Sequence, residues 1–202
     1  MRKIISVFIL VSFIFVFSGC SSSYSSRVTL RSSYKTLSIS EVKSMLKRRD
    51  FFELSANPSG DFGNDFRSKT ISGVKVVIDR ATGLMWHQGG SSLSMTFDKV
   101  KEWIRSLNSR GYAGHSDWRL PTLEEAASIL ESSKMNGNFY IDPVFSEKQL
   151  RIWTGDKYSS DRGEVVRLGS RGIACVVSFY DGSIVGSFFG SYRYVRPVRR
   201  DN

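Results

Sequence analysis

Apolar residues recur at two different periods along this chain, and the change of period orders its elements. From Phe97 to Leu107 the residues Phe97, Val100, Trp103, Ile104 and Leu107 follow the 3.6-residue spacing of an amphipathic helix, with Thr96 placed to cap it. A second helical stretch carries Leu123, Ala126, Ala127 and Leu130. Earlier, Val42, Met45 and Leu46 share one face of a short helix from Glu41 to about Arg49, with Ser40 as its candidate cap. Val74 to Ile78 and the LMW that follows the turn RATG predict a strand, a turn and a second strand, with Trp86 facing the core. From Ile152 onwards the pattern becomes short strands, IWTG, EVVRLG and IACVVSFYDGSIVGSFF, in which Asp181 and Gly182 are a strong hairpin signal. The last predicted strand is YRYVRPVR, where Pro197 requires an edge or a bulge. Strands, two helices, then antiparallel strands argue for an α+β fold rather than alternating βα units.

Between the two central helices lies GYAGHSDWRLPTLEE, Gly111 to Glu125. Gly111 suits a left-handed helix exit, and Pro121 disfavours helical geometry at Leu120, so one continuous helix is excluded. Thr122 and Glu125 then spell a capping box that starts a new helix at Leu123. Trp118 is expected to anchor this corner in the core, with Asp117 and Arg119 as its hydrogen-bonding frame.

Met1 to Gly19 opens with Arg2 and Lys3 and continues as the apolar run IISVFILVSFIFVF, the layout of an export signal. It closes on FSGC, so Cys20 is the expected lipidation site of a lipoprotein. The expected organisation is a signal peptide over residues 1–19, a lipidated cysteine and Ser-rich tether over 20–36, a helix-and-loop extension over 37–73, and the main domain over 74–202. The expected location is the bacterial cell envelope, and in a Gram-negative host the outer membrane, since no aspartate follows Cys20. With 29 Lys and Arg against 19 Asp and Glu the chain has a net charge of +10, or +8 once Arg2 and Lys3 leave with the signal. That surplus favours acidic partners, and export argues against nucleic acid. Cys20 apart, Cys175 is the one thiol left, so no intramolecular disulfide is expected.

An enzyme needs a cluster, and the candidates are His87, His115, Asp117 and Cys175. They match no catalytic motif, the histidines lack metal-ligand spacing, and no cofactor signature is present. DRATGLMW, LNSRGYAGHSDWRLPTLEEAASIL, NFYIDPVF, IWTGD and the closing YVRPVR together resemble the Lcl C-terminal domain family, also called DUF1566, over roughly Val74 to Arg199. The resemblance implies a C-type-lectin-like domain with two helices and a twisted antiparallel sheet, related in fold to formylglycine-generating enzymes. It also implies a ligand-binding role, since one collagen-like adhesin with this domain binds sulfated glycosaminoglycans, and with no catalytic motif the chain is not expected to be an enzyme. A disulfide common among such proteins has no counterpart here, where Trp103, Ile104 and Pro197 occupy the corresponding neighbourhoods.

The expected function is therefore that of a lipid-anchored envelope protein that binds an acidic or sulfated glycan or a surface protein. Two alternatives are a structural envelope lipoprotein and, less favoured, a formylglycine-generating type of enzyme. The expected ligand surface is the basic C-terminal region, with Arg162, Arg167, Arg171 and Arg193 supplying charge and Tyr158 and Tyr192 supplying stacking faces. Arg196 and Arg199 belong to the same run, although Arg196 within YVRPVR also has a structural reading. Tyr180 and Tyr194 are interleaved with it.

Overall fold

Gly182 adopts a left-handed conformation (φ 69°) at the predicted hairpin turn, and the Asp181 carboxylate accepts hydrogen bonds from the backbone and hydroxyl of Ser183. This turn joins two strands of a sheet in a computed structural model that describes residues 27–159 and 172–201. In chain order the elements are β1 (Thr36–Leu37), α1 (Ile39–Arg49), β2 (Phe66–Ile71), β3 (Val74–Asp79), β4 (Leu84–His87) and α2 (Phe97–Ser109). A short 3-10 turn (Tyr112–Gly114) follows, then α3 (Leu123–Ala127), β5 (Arg151–Tyr158), β6 (Ile173–Ser178), β7 (Ser183–Phe188) and β8 (Val198–Arg200). The strands form two four-stranded sheets, β1-β5-β6-β7 and β2-β3-β4-β8, antiparallel except for the β1–β5 pair. The α+β class holds. Its strands divide between two sheets, and α1 adds a third helix to the two that the resemblance implied.

The corner folds as its residues predict. Gly111 is left-handed (φ 61°), and Thr122 and Glu125 form a reciprocal capping box at the start of α3. Trp118 is buried and donates its indole N–H to Tyr112 O at 2.9 Å. Its backbone is held on both sides by the Asn108 amide, which accepts from Trp118 N and donates to Trp118 O. Arg119 forks onto Glu125 with two bonds of 2.7 Å, and Asp117 takes a 2.7 Å bond from Arg199. Trp86 is fully buried in β4. The cap of α2 differs in detail, since the Thr96 side chain makes no capping bond.

Four expectations need correction. Ser38, not Ser40, caps α1, because Ser38 and Glu41 close an S-x-x-E box. FRSKTI, lacking apolar alternation, is strand β2, paired along its whole length with β3. Its outer edge position leaves most of its side chains exposed, so burial imposes no pattern on them. YRYVRPVR is not one strand. Tyr194 bridges to Ile152 in the first sheet, Val198–Arg200 pairs with β4 in the second, and Arg196 and Pro197 carry the chain between them.

The fourth correction concerns the tether. Residues 27–36 are fixed to the domain: Val28 N donates to Ala81 O at 2.7 Å, Leu30 is buried, and Arg31 pairs with the buried Asp156. That carboxylate also accepts from Leu123 N at the start of α3 and from Lys35 N. A serine-rich composition registers low hydrophobicity but not the partners that await Leu30 and Arg31. Residues 27–73 enter the main core through Leu30, Leu37, Val42, Met45, Leu46, Phe51 and Phe52, and they supply one of the two outer strands of each sheet, β1 and β2.

Candidate functional site

The loop before α2, the start of β5, the β6–β7 turn and the segment leading to Tyr194 meet around an open cleft of about 330 Å³. Its position follows from backbone pairing. Met95 and Arg193 exchange backbone hydrogen bonds of 2.8 and 3.1 Å, while Tyr194 N donates to Arg151 O and Trp153 N to Tyr194 O, each at 2.9 Å. These bonds fix Arg193 and Tyr194 beside Arg151 and give the walls a set geometry. Tyr180 and Tyr192 stand at the cleft with 56% and 65% of their surfaces exposed, enough for a ligand to lie on a ring face.

The charge in the cleft is unbalanced. Arg151 donates to Asp181 at 3.2 Å, whereas among the described residues Arg193 makes a side-chain bond only to its neighbour's carbonyl, Tyr192 O. The Arg193 Nε is buried and has no hydrogen-bond partner among the described residues. Partial burial, and then the Arg151 charge, lower the Arg193 pKa. Burial pushes the Asp181 carboxyl up, but hydrogen bonds from Ser183, Ser178 and Arg151 outweigh it and hold that group below the usual range. Two guanidinium groups thus face one carboxylate, and a ligand that brings acidic oxygens completes the set.

Of the residues expected at a ligand surface, Arg193 and Tyr192 line this cleft. Tyr158 does not. It is at the far end of β5, opposite Leu37, and packs against the main core. Arg162, Arg167 and Arg171 lie outside the described residues, as does Cys20. Arg196 and Arg199 are interior groups. Arg196 is fully buried, lies over the Phe145 ring at 4.9 Å and donates to Gln88 O, Ser146 O and Gln149 Oε1. Their local sequence is as basic as that of the exposed arginines, so only the tertiary acceptors distinguish them. Tyr180 and Tyr194, expected as aromatics interleaved with the basic run, also line the cleft, and Arg151, Leu150 and Ser94, which were not among the expected site residues, complete it. No local signal marks those three, whereas Tyr180 stands out beside the Asp181-Gly182 turn, which places an aromatic at a hairpin tip.

Three of the four candidate catalytic groups are engaged elsewhere, and the fourth, His115, is a half-buried residue that follows the 3-10 turn, with only its backbone N–H bonded among the described residues, to Tyr112 O. His87 stacks on Tyr112 at 4.1 Å and accepts from Gly90 N, and burial, followed by the Arg196 charge, lowers its pKa to about 4. Cys175 is buried in β6, donates weakly to Lys157 O, and has its thiol pushed far up by burial. Asp117 is tied to Arg199. Among the described residues no three of His, Cys, Asp and Glu converge to hold a metal, and no helix is long and apolar enough to cross a membrane.

Fold and cleft together define an α+β domain of two mostly antiparallel sheets that presents a basic, tyrosine-lined recess at one end of β5. The Lcl C-terminal domain model matches residues 75–199, and the chain belongs to that family. No curated protein matches the chain.

Proposed function

We propose that this protein is a lipid-anchored component of the bacterial envelope that binds an acidic ligand, a sulfated or uronic glycan before a surface protein, in the cleft of Arg151, Arg193, Tyr180 and Tyr192. The observation that carries this reading is the Arg193 guanidinium, with an unpaired Nε and no carboxylate partner among the described residues, held beside Arg151 between exposed tyrosine rings. Guanidinium forks onto sulfate and carboxylate, and flat aromatic faces suit sugar rings. The anchor is Cys20, on the strength of the preceding apolar run and FSGC.

The test is retention of the detergent-solubilised full chain on immobilised heparin, compared with Arg151→Ser/Arg193→Ser. Both side chains are partly exposed, so the variant is expected to fold, and its melting temperature checks this. The wild type should need markedly more salt for elution, because exposed charge contacts are screened over ~8 Å at physiological ionic strength. Equal elution of two folded proteins would remove the cleft from the reading. Cys20→Ser should abolish both acyl mass and membrane partitioning.

A further inference from the structure

A second recess lies at the other end of β5, between α2 and the ring of Tyr34. Its volume is about 430 Å³, within the ~300–1,000 Å³ of small-ligand sites, and its walls are mostly carbon. Phe97, Val100 and Ile104 project into it from α2, and Leu120 closes its side. The floor at Gly155 is bare backbone. A Cβ there would sit 2.1 Å from the Tyr34 ring, so glycine lets that ring stand as a wall, where its hydroxyl donates to Leu120 O.

The rim is cationic. Lys101 and Arg105 are one helical turn apart on α2, Lys157 faces them from β5, and none has an ion-pair partner among the described residues. No acidic side chain lines the recess, and its remaining cation, Arg119, is already neutralised by Glu125. An apolar trough with one charged lip is complementary to a molecule that is apolar along its length and anionic at one end.

We propose that this groove binds a single long acyl chain bearing a carboxylate, with the chain along Phe97, Val100, Ile104 and Leu120 and the head group at Lys101, Arg105 and Lys157. It is separate from the arginine and tyrosine cleft. Arg151 and Lys157 are six residues apart on one strand, or roughly 20 Å.

The experiment mixes the full chain with phosphatidylcholine vesicles carrying palmitate with a photoactivatable diazirine near its methyl end. Crosslinks are mapped by peptide mass spectrometry. Labelling should concentrate on Phe97 to Arg105 and on the peptide containing Leu120. The equally tagged palmityl alcohol should label these sites less. Lys101→Glu/Arg105→Glu, at two exposed positions, should reduce acid labelling about tenfold, since two exposed pairs become repulsive. Ile104→Trp should fill the groove and exclude both probes. Equal labelling by acid and alcohol, indifference to the charge reversal, or labelling spread over exposed apolar residues such as Leu93 and Val185 would overturn the proposal.

Discussion

Arg193 and Arg196 are three residues apart in opposite surroundings, and changing each to methionine should give opposite results. At Arg196, methionine retains much of the apolar contact with Phe145 but removes the donor from Gln88 O, Ser146 O and Gln149 Oε1 and the longer 3.5 Å bond to His87 O. A buried acceptor left unsatisfied costs about 1–3 kcal/mol. Part of that is offset, because the charge removed is fully buried with no carboxylate among its hydrogen-bond partners. The expected net loss is about 3–5 kcal/mol, which at this chain size lowers the melting temperature by about 10–15 °C. Both groups have an unpaired Nε, but Arg193→Met removes a partly exposed group that lies next to a like charge and whose side-chain bond is to the Tyr192 carbonyl. It should change stability by less than about 1 kcal/mol and reduce heparin retention, as expected where function is held at the expense of stability. Urea unfolding at pH 7 measures both. An Arg196→Met protein within 1 kcal/mol of wild type, or an Arg193→Met protein equally damaged, would refute the division between interior and ligand-facing arginines.

Other outcomes follow from the same geometry. His87 stays neutral in the folded protein down to about pH 4, whereas an unfolded histidine takes its proton near 6.5. Stability should therefore decline as pH falls from 6.5 to 4, by about 3 kcal/mol, and an imidazole NMR titration with a midpoint near 6.5 would contradict this. Glu131 behaves in the opposite sense. Burial, then Asp142, Asp61 and Asp79, raise its pKa to about 7, so its contribution is lost as pH rises from 4.5 through 7, and Glu131→Gln should raise the melting temperature at pH 8 but not at pH 4. Trp118→Ala should destabilise by about 3–5 kcal/mol and Thr122→Ala by about 1, measured by urea unfolding, and equal losses would show that Trp118 is not the corner's anchor. A chain cut to the family segment 75–199 loses Leu30, Leu37, Val42, Met45, Leu46, Phe51 and Phe52 from the core. At about 1.5–3 kcal/mol per side chain that exceeds or equals a typical total stability, so a cooperative melt of the cut chain would be the contrary result.

What the sequence disclosed was local. Gly111, Pro121 and the Thr122–Glu125 box act through their own backbone, and the α2 stripe and the Asp181-Gly182 turn follow from periodicity and backbone conformation alone. What it concealed was long-range. β2 is polar because its place at a sheet edge leaves it exposed, and Leu30 is buried by residues far along the chain. The candidate cleft was half legible for the same reason. Arg193 and Tyr192 stood in a basic, aromatic run, but Arg151 joins them only because Tyr194 pairs with the start of β5. Arg196 and Arg199, from that same run, turn inward to Gln149 and Asp117, and no feature of their sequence separates them from Arg193.

The bond from Val28 to Ala81 limits how far the domain could stand from an N-terminal anchor. If Cys20 carries the acyl group, as proposed, the few residues between it and Arg27 span at most roughly 25 Å. A domain so tethered would not search the surrounding volume. It would sweep a thin layer at the bilayer, where encounters depend on lateral diffusion and on the number of copies per unit area. Binding strength for a polymer lying along that layer would then grow with surface density, as several copies engage one strand.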